Sequence, residues 1–182
     1  MDKLTRRLNR GANIVICVVV ILIVVVFARN YLLSHRSAAE DADYRIPVGT
    51  KVSLDGIDWA RNGQTLLLVL RKGCRFCEES VPFYRRLATE ATAGKTSTRI
   101  IAVLPQEVGE SKQYLSSLNA PLNDVRQSAL DVLGVQGTPT LILVNSQGQV
   151  TESWAGKLPP EQETAVLERI ENKTAAPVKN SP

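Results

Sequence analysis

Histidine is almost missing from this chain: His35 is the only one in 182 residues. Cysteine is scarce too, limited to Cys17, Cys74 and Cys77. A structural zinc site normally takes four Cys or His ligands, and a single C-x-x-C pair without others nearby does not supply them. Three cysteines are also too few for a disulfide scaffold. There is no glycine-rich phosphate loop of either common kind, and no internal repeat.

An excess of charge is missing as well, once the charge is located. The formal net charge is +4. Residues 1–33 carry five basic side chains (Lys3, Arg6, Arg7, Arg10, Arg29) and one acid, Asp2, so 22 less 5 and 18 less 1 leave 17 of each sign beyond them. The rest of the chain is neutral. It lacks the basic stripe that a nucleic-acid-binding domain shows, so no nucleic-acid partner is expected.

What is present begins with an apolar run. Ile14–Ala28 is unbroken for 15 residues, IVICVVVILIVVVFA. Gly11–Asn13 and Tyr31–Leu33 extend it to roughly the 20 residues that cross a bilayer core. Small residues at Ser37-Ala38-Ala39 suit a cleaved signal, but they lie ten or more residues past the run with charges between, which favours an uncleaved anchor. Four basic side chains precede the run. The positive-inside rule therefore puts residues 1–10 in the cytoplasm, a single-pass anchor at 11–33 in membrane lipid, and the remainder on the periplasmic or extracytoplasmic side. Cys17 reads as an apolar filler of that helix.

Residues 34–50 are polar and rich in small side chains, the composition of a linker. The ordered domain is expected over 51–173, with a disordered tail at 174–182. Thr65–Leu70 (TLLLVL) and Arg99–Leu104 (RIIAVL) read as strands buried on both faces. Cys74 to about Ala91 reads as one helix kinked by Pro82, with Val81, Tyr84, Leu87, Ala88 and Ala91 on its apolar face. Helices are predicted at Gly109–Asn119, Asp124–Leu133 and Pro160–Asn172. Thr140–Val144 and Gln149–Trp154 form strands joined by the turn Asn145–Gly148. Trp59, Trp154 and Tyr84 read as packing residues. Strands alternating with helices, then a hairpin and a last helix, give an α/β domain with a covered sheet.

Cys74 and Cys77 stand where the first strand gives way to a helix. Unpaired N–H groups at a helix start favour a thiolate. If a thiol pKa falls from about 8.5 to about 7, the thiolate fraction at neutral pH rises from roughly 3% to about half. Cys74 comes first, at the exposed helix tip, and is the candidate nucleophile. Cys77 is one turn in and more buried. Arg71, Lys72 and Arg75 add positive charge that would tune the Cys74 pKa, opposed by Glu78 and Glu79. Taken alone, the pair also fits half a zinc site or a buried stabilising disulfide.

Three further features resemble the thioredoxin superfamily. Leu133–Pro160 carries a Gly-x-x-Gly-x-Pro-Thr run (Gly134, Gly137, Pro139, Thr140). Pro82 falls five residues after Cys77, and Gly156 falls before the last helix. The resemblance covers about Val52 to Ile170. With the anchor and the extra residues ahead of Pro139, it is nearest to membrane-anchored, TlpA-like thiol–disulfide interchange proteins. It implies a thioredoxin fold, a central mixed sheet flanked by helices. It implies a cis Pro139 facing the cysteines, with Thr138 presenting backbone groups to an extended partner segment. It implies an oxidoreductase whose redox group is the Cys74–Cys77 disulfide itself, with no other cofactor. Its partners would be client proteins with disulfides or thiols, and a membrane electron donor for thiols. The sequence departs from the family at the pair, where Gly73 precedes Cys74 and Arg75-Phe76 separate the cysteines. Leu68 stands where thioredoxins bury an Asp. Two other readings of the same residues are a thiol peroxidase, which would want a hydroxyl residue just before Cys74, and a metal-binding assembly factor.

Overall fold

A computed structural model describes residue 16 and residues 18–29, 44–94 and 96–171. It divides the chain into two units, Met1–Ala42 and Asp43–Pro182. In the first, residues 18–29 are helical, and their Val, Ile, Leu and Phe side chains are exposed. Among the described residues no helix is long and apolar enough to cross a membrane. Residues 1–10, the two ends of the expected anchor, Cys17, residues 34–43 with His35, and the tail lie outside the described residues.

The second unit is built on a five-stranded sheet: β1 (Thr65–Val69), β2 (Arg99–Leu104), β3 (Val125–Gln127), β4 (Thr140–Val144) and β5 (Val150–Ala155), in the order β3-β2-β1-β4-β5. β1, β2 and β3 run parallel, while β4 and β5 pair antiparallel. The continuous apolar runs of β1, β2 and β4 follow from burial on both faces. Their odd and even residues feed two separate cores. Leu66, Leu68 and Leu70 face a cluster with Phe83, Tyr84, Leu115 and Val166, contributed by helices α2 (Val81–Thr92), α3 (Val108–Ser117) and α4 (Pro160–Glu171). Leu67 and Val69 face Ile46, Val52, Leu54, Leu133 and Val135 on the other side.

That second face is covered by extended chain, the single helical turn Trp59–Asn62 and a 3-10 turn (Asp131–Leu133), and here two expectations are corrected. The helix expected over Asp124–Leu133 is instead β3 followed by the 3-10 turn. The open edge of β2 decides this: the Ala102 N–H donates to the Asp124 carbonyl at 2.9 Å, and the Ser128 N–H to the Leu104 carbonyl at 3.0 Å. An unpaired strand edge outbids a weak helical pattern. The linker is also shorter than read. Ile46 is buried, its N–H donates to Ser153 Oγ at 2.9 Å, and the Ser153 hydroxyl donates back to the Ile46 carbonyl at 3.0 Å. The chain is therefore part of the domain from Ile46 onward.

The kinked helix becomes two, α1 (Arg75–Glu79) and α2, with Ser80 between them at φ −92° and ψ 3°. Pro82 has no N–H to donate, and its ring excludes the carbonyl four residues back, so the first helix stops. The same proline, with φ preset, then suits the first turn of α2.

The β4–β5 turn depends on Gly148, at φ +75°. A Cβ there would lie 2.7 Å from Trp59 Cδ1. Trp59 is thus the packing residue it was read as, laid against a turn that only glycine fits. Gly148→Ala is expected to cost about 2 kcal/mol or more, from backbone strain plus displacement of the indole. Denaturant unfolding will check this, and Trp59→Ala combined with Gly148→Ala should recover less than the full strain because φ stays positive.

Candidate active site

β1 ends at Val69, and Arg71–Gly73 turn the chain into α1, with Gly73 at φ +76°. Cys74 is the N-cap of α1, in extended conformation at φ −87° and ψ 113°. Its Sγ accepts the Cys77 backbone N–H at 3.2 Å, as a Ser or Asp oxygen would in that position. The same Sγ, as a thiol, donates to the Thr138 carbonyl at 3.2 Å, 64 residues away in sequence. The Thr138–Pro139 peptide bond is cis. The Thr140 hydroxyl closes this loop by donating to the Gly137 carbonyl at 2.8 Å. Cys74, Cys77 and Thr138 are thereby brought together, with Pro139 next in chain.

Cys74 is not at an exposed tip: it keeps only 7% of its surface, while Cys77 keeps none. Both thiols are free. Burial pushes the Cys74 thiol up. It is outweighed by hydrogen bonds from the Cys77 thiol, from the Thr138 side chain and from the Cys77 and Phe76 backbone N–H groups, so the net shift is below the ordinary 9.0. At Cys77 burial prevails and pushes the thiol up to about 12, reinforced by its hydrogen bond to Cys74 and opposed by the Arg71 backbone and Thr138. The two thiols are therefore split, one held below the ordinary value and one raised above it.

The expected role of nearby cations needs correction. Lys72 Nζ pairs with Glu110 at 2.8 Å, and Arg75 Nε with Glu79 at 2.8 Å. Neither cation, nor the Arg71 side chain, is among the causes of the Cys74 shift; Arg71 acts through its backbone, and on Cys77. Of the two acids that pattern reading set against the thiol, Glu79 is taken up by cations: Lys157 and Arg75 beside it keep its carboxyl below the usual range. Direct hydrogen bonds set the thiol, and sequence spacing does not show them.

Leu68 is fully buried, so no acid lies at that point of β1. Tyr84 of α2, read from the pattern as a packing residue, and Tyr114 of α3, which pattern reading passed over, share the helix-side core with both cysteines. Tyr84 lies seven residues after Cys77, the same-face spacing of a helix, which is a signal that could have found it. Tyr114 lies on a separate helix and leaves no such signal. Among the described residues no cluster of three or more His, Cys, Asp or Glu could hold a metal ion.

The sequence matches no protein-family model and no curated protein. Solved structures do match. The fold of the second unit is the thioredoxin fold, a mixed sheet flanked by helices. Among the structures that share it are thiol–disulfide interchange proteins. A Chlorobium tepidum protein assigned as the thiol:disulfide interchange protein DsbE matches with a TM-score of 0.54 at 21% identity, over 69% of this chain and 96% of its own. A thioredoxin-family thiol:disulfide interchange protein from Chlorobium tepidum TLS gives 0.51 at 10% identity, over 70% and 99%. The thioredoxin domain of a Bacteroides vulgatus thiol-disulfide oxidoreductase gives 0.50 at 17%, over 70% and 99%.

The thiol split is open to direct measurement. In the reduced protein, iodoacetamide is expected to alkylate Cys74 with a pH midpoint below 9.0. Cys77 should stay unmodified until the pH nears about 12. Mass mapping of the labelled peptides will check the order, and equal labelling of both at neutral pH would contradict the assigned roles.

Proposed function

We propose that this chain is a thiol–disulfide oxidoreductase that exchanges disulfides with client proteins through Cys74 and Cys77. The observation that carries the reading is the Cys74 sulfur at a helix N-cap, 3.2 Å from the Thr138 carbonyl, with a thiol pKa below the ordinary value. A thiolate there attacks one sulfur of a client disulfide. The client's other sulfur leaves as a thiolate and takes a proton, and a Cys74–client mixed disulfide remains. Cys77 then attacks Cys74, forming the Cys74–Cys77 disulfide and releasing the second client thiolate. Two electrons pass from the pair to the client. The pair is itself the redox group, so the step needs no other cofactor.

Thr138 is half-buried and Pro139 buried, but Gln136 and Gly137 just ahead of them are exposed, and an extended client segment would lie along this loop beside Cys74. The working direction is reduction, with the pair recharged by a membrane donor of thiol electrons. The apolar run Ile14–Ala28, preceded by four basic residues and followed closely by two, Arg29 and Arg36, supports a membrane anchor that leaves the domain outside the cytoplasm.

Insulin disulfide reduction by the full chain in detergent tests this, comparing wild type with Cys74→Ser. Equal rates would end the proposal. The Cys74–Cys77 potential tests direction: a value near about −270 mV fits a reductase, and one near about −120 mV an oxidase.

A further inference from the structure

Most large apolar side chains of the second unit are packed into one of its two cores. Those left exposed are Tyr44, Val48, Phe76 and Val132. A single exposed aromatic on an ordinary surface needs no explanation. Phe76 is not on one. It is the second residue of α1, between the two cysteines, and 55% of its surface is open to solvent. Its ring belongs to neither core. Its backbone is tied down: the carbonyl accepts the Ser80 N–H at 3.2 Å and the Ser80 hydroxyl at 2.8 Å, and Ser80 is buried. An aromatic side chain on a fixed backbone has only two torsions to lose on contact, so covering it costs little ordering.

The charges next to it are nearly matched. Arg75 and Glu79 of α1 pair at 2.8 Å, and Lys157 reaches the same Glu79 at 3.0 Å. Lys72 pairs with Glu110 at 2.8 Å. Arg71 and Glu78, one of each sign, have no ion pair among the described residues. An apolar centre with a charged rim is the layout of a contact surface. A rim so nearly balanced exerts little pull on a charged partner.

The exchange step brings a client to this ring. A disulfide holds its two Cα atoms about 4.4–6.8 Å apart. An extended chain advances about 3.3 Å per residue, with every second side chain on the same face. A client cysteine bonded to Cys74 points at α1, so the client side chains two residues from it point there too. Two steps of such a client span about 6.6 Å, within reach of a phenylalanine ring two residues beyond Cys74.

We propose that the Phe76 ring selects clients by receiving a large apolar side chain two residues from the client cysteine that joins Cys74. This rests on the exchange reading above and names the clients it favours. Large apolar residues are mostly buried once a protein has folded, so the favoured clients are chains still extended, with Leu, Ile, Phe or a similar residue at that spacing. Phe76 adds binding alone; the bonds formed and broken are those already given.

Symmetric disulfide dimers of short single-cysteine peptides test this, with Leu, Ser, Lys or Asp placed two residues before or after the cysteine. The full chain in lipid nanodiscs, carrying Cys17→Ala and reduced beforehand, is mixed with each dimer, and peptide thiol release is followed after acid quenching. Each rate is divided by that of dithiothreitol on the same dimer, which removes differences in the peptides' own reactivity. Wild type is expected to reduce the better of the two Leu dimers about tenfold faster than the Ser dimer. The Leu advantage should persist in about 0.5 M salt, where surface charges are screened. Phe76→Ala should bring the Leu-to-Ser ratio close to one, and Phe76→Leu, still apolar, should keep most of it. Because a ratio is read, any effect of the substitution on Cys74 itself cancels. A wild-type ratio near one, or a ratio that survives Phe76→Ala, would overturn the proposal. So would a Lys or Asp dimer favoured over Leu and levelled by salt. A wild type that reduces the Ser dimer no faster than Cys74→Ser does defeats the exchange reading itself, and this inference falls with it.

Discussion

Cys77→Ser is expected to stop turnover and leave the protein covalently joined to its client. The structure gives the two sulfurs different chemistry. Cys74 has hydrogen bonds that outweigh its burial and a small opening to solvent; Cys77 has no opening, and its burial outweighs the hydrogen bonds that favour its thiolate. With Cys74 intact, the first attack proceeds. With a serine at 77, the second does not, because an alcohol is far too weakly acidic to displace a thiolate here. The mixed disulfide therefore accumulates to near one client per protein. Cys74→Ser should show neither turnover nor adduct, falling to the uncatalysed background. Non-reducing electrophoresis with a disulfide-containing client will separate the two variants. An adduct that forms through Cys77 in Cys74→Ser, at a rate matching the Cys77→Ser adduct, would reverse the roles.

Leu67→Asp is expected to unfold the domain at neutral pH. Leu67 pairs with Ile101 of β2 and Ile142 of β4, and all three are fully buried on the face away from the helices. Truncating such a leucine to alanine costs about 2–5 kcal/mol. An ionised carboxylate adds several more, because that cluster offers only apolar side chains. Total stability for a domain is about 5–15 kcal/mol. The sign of the pH dependence follows from burial. The introduced carboxyl has its folded pKa raised above the unfolded value of about 3.9, so it is tolerated best when protonated. Destabilisation grows as pH rises through that value and beyond. Leu67→Asn, uncharged and similar in size, should lose stability without that slope. Urea unfolding across pH 3 to about 7 will show the difference. A Leu67→Asp domain as stable at pH 7 as wild type would mean that the second core is wet.

Much of this fold was legible where burial is extreme. The runs Thr65–Leu70, Arg99–Leu104 and Thr140–Val144 could hardly be anything but central strands, and the structure places them side by side. The Cys74–Cys77 pair at the strand end and the Gly137–Thr140 stretch were legible as motifs. Legibility failed where distant chain decides. Val125–Gln127 is a strand because β2 has a free edge, and no local pattern reports on that. Ile46 is buried because Ser153, 107 residues away, offers both a donor and an acceptor. In the site, the cations near the cysteines were easy to read and act elsewhere, in surface ion pairs. The hydrogen bonds that lower Cys74 come from the Cys77 thiol, from the Thr138 side chain 64 residues on and from backbone N–H groups of α1.

The clasp between Ile46 and Ser153 has a mechanical consequence. β5 is the outermost strand on its side of the sheet, and two strand boundaries separate it from β1, which leads to Cys74. Any tension that arrives along the chain from upstream is taken up first by Ile46 and its two hydrogen bonds to that outer strand. The load enters the scaffold at its rim, so a pull on the chain ahead of Ile46 would fray β5 well before it disturbed the sulfurs.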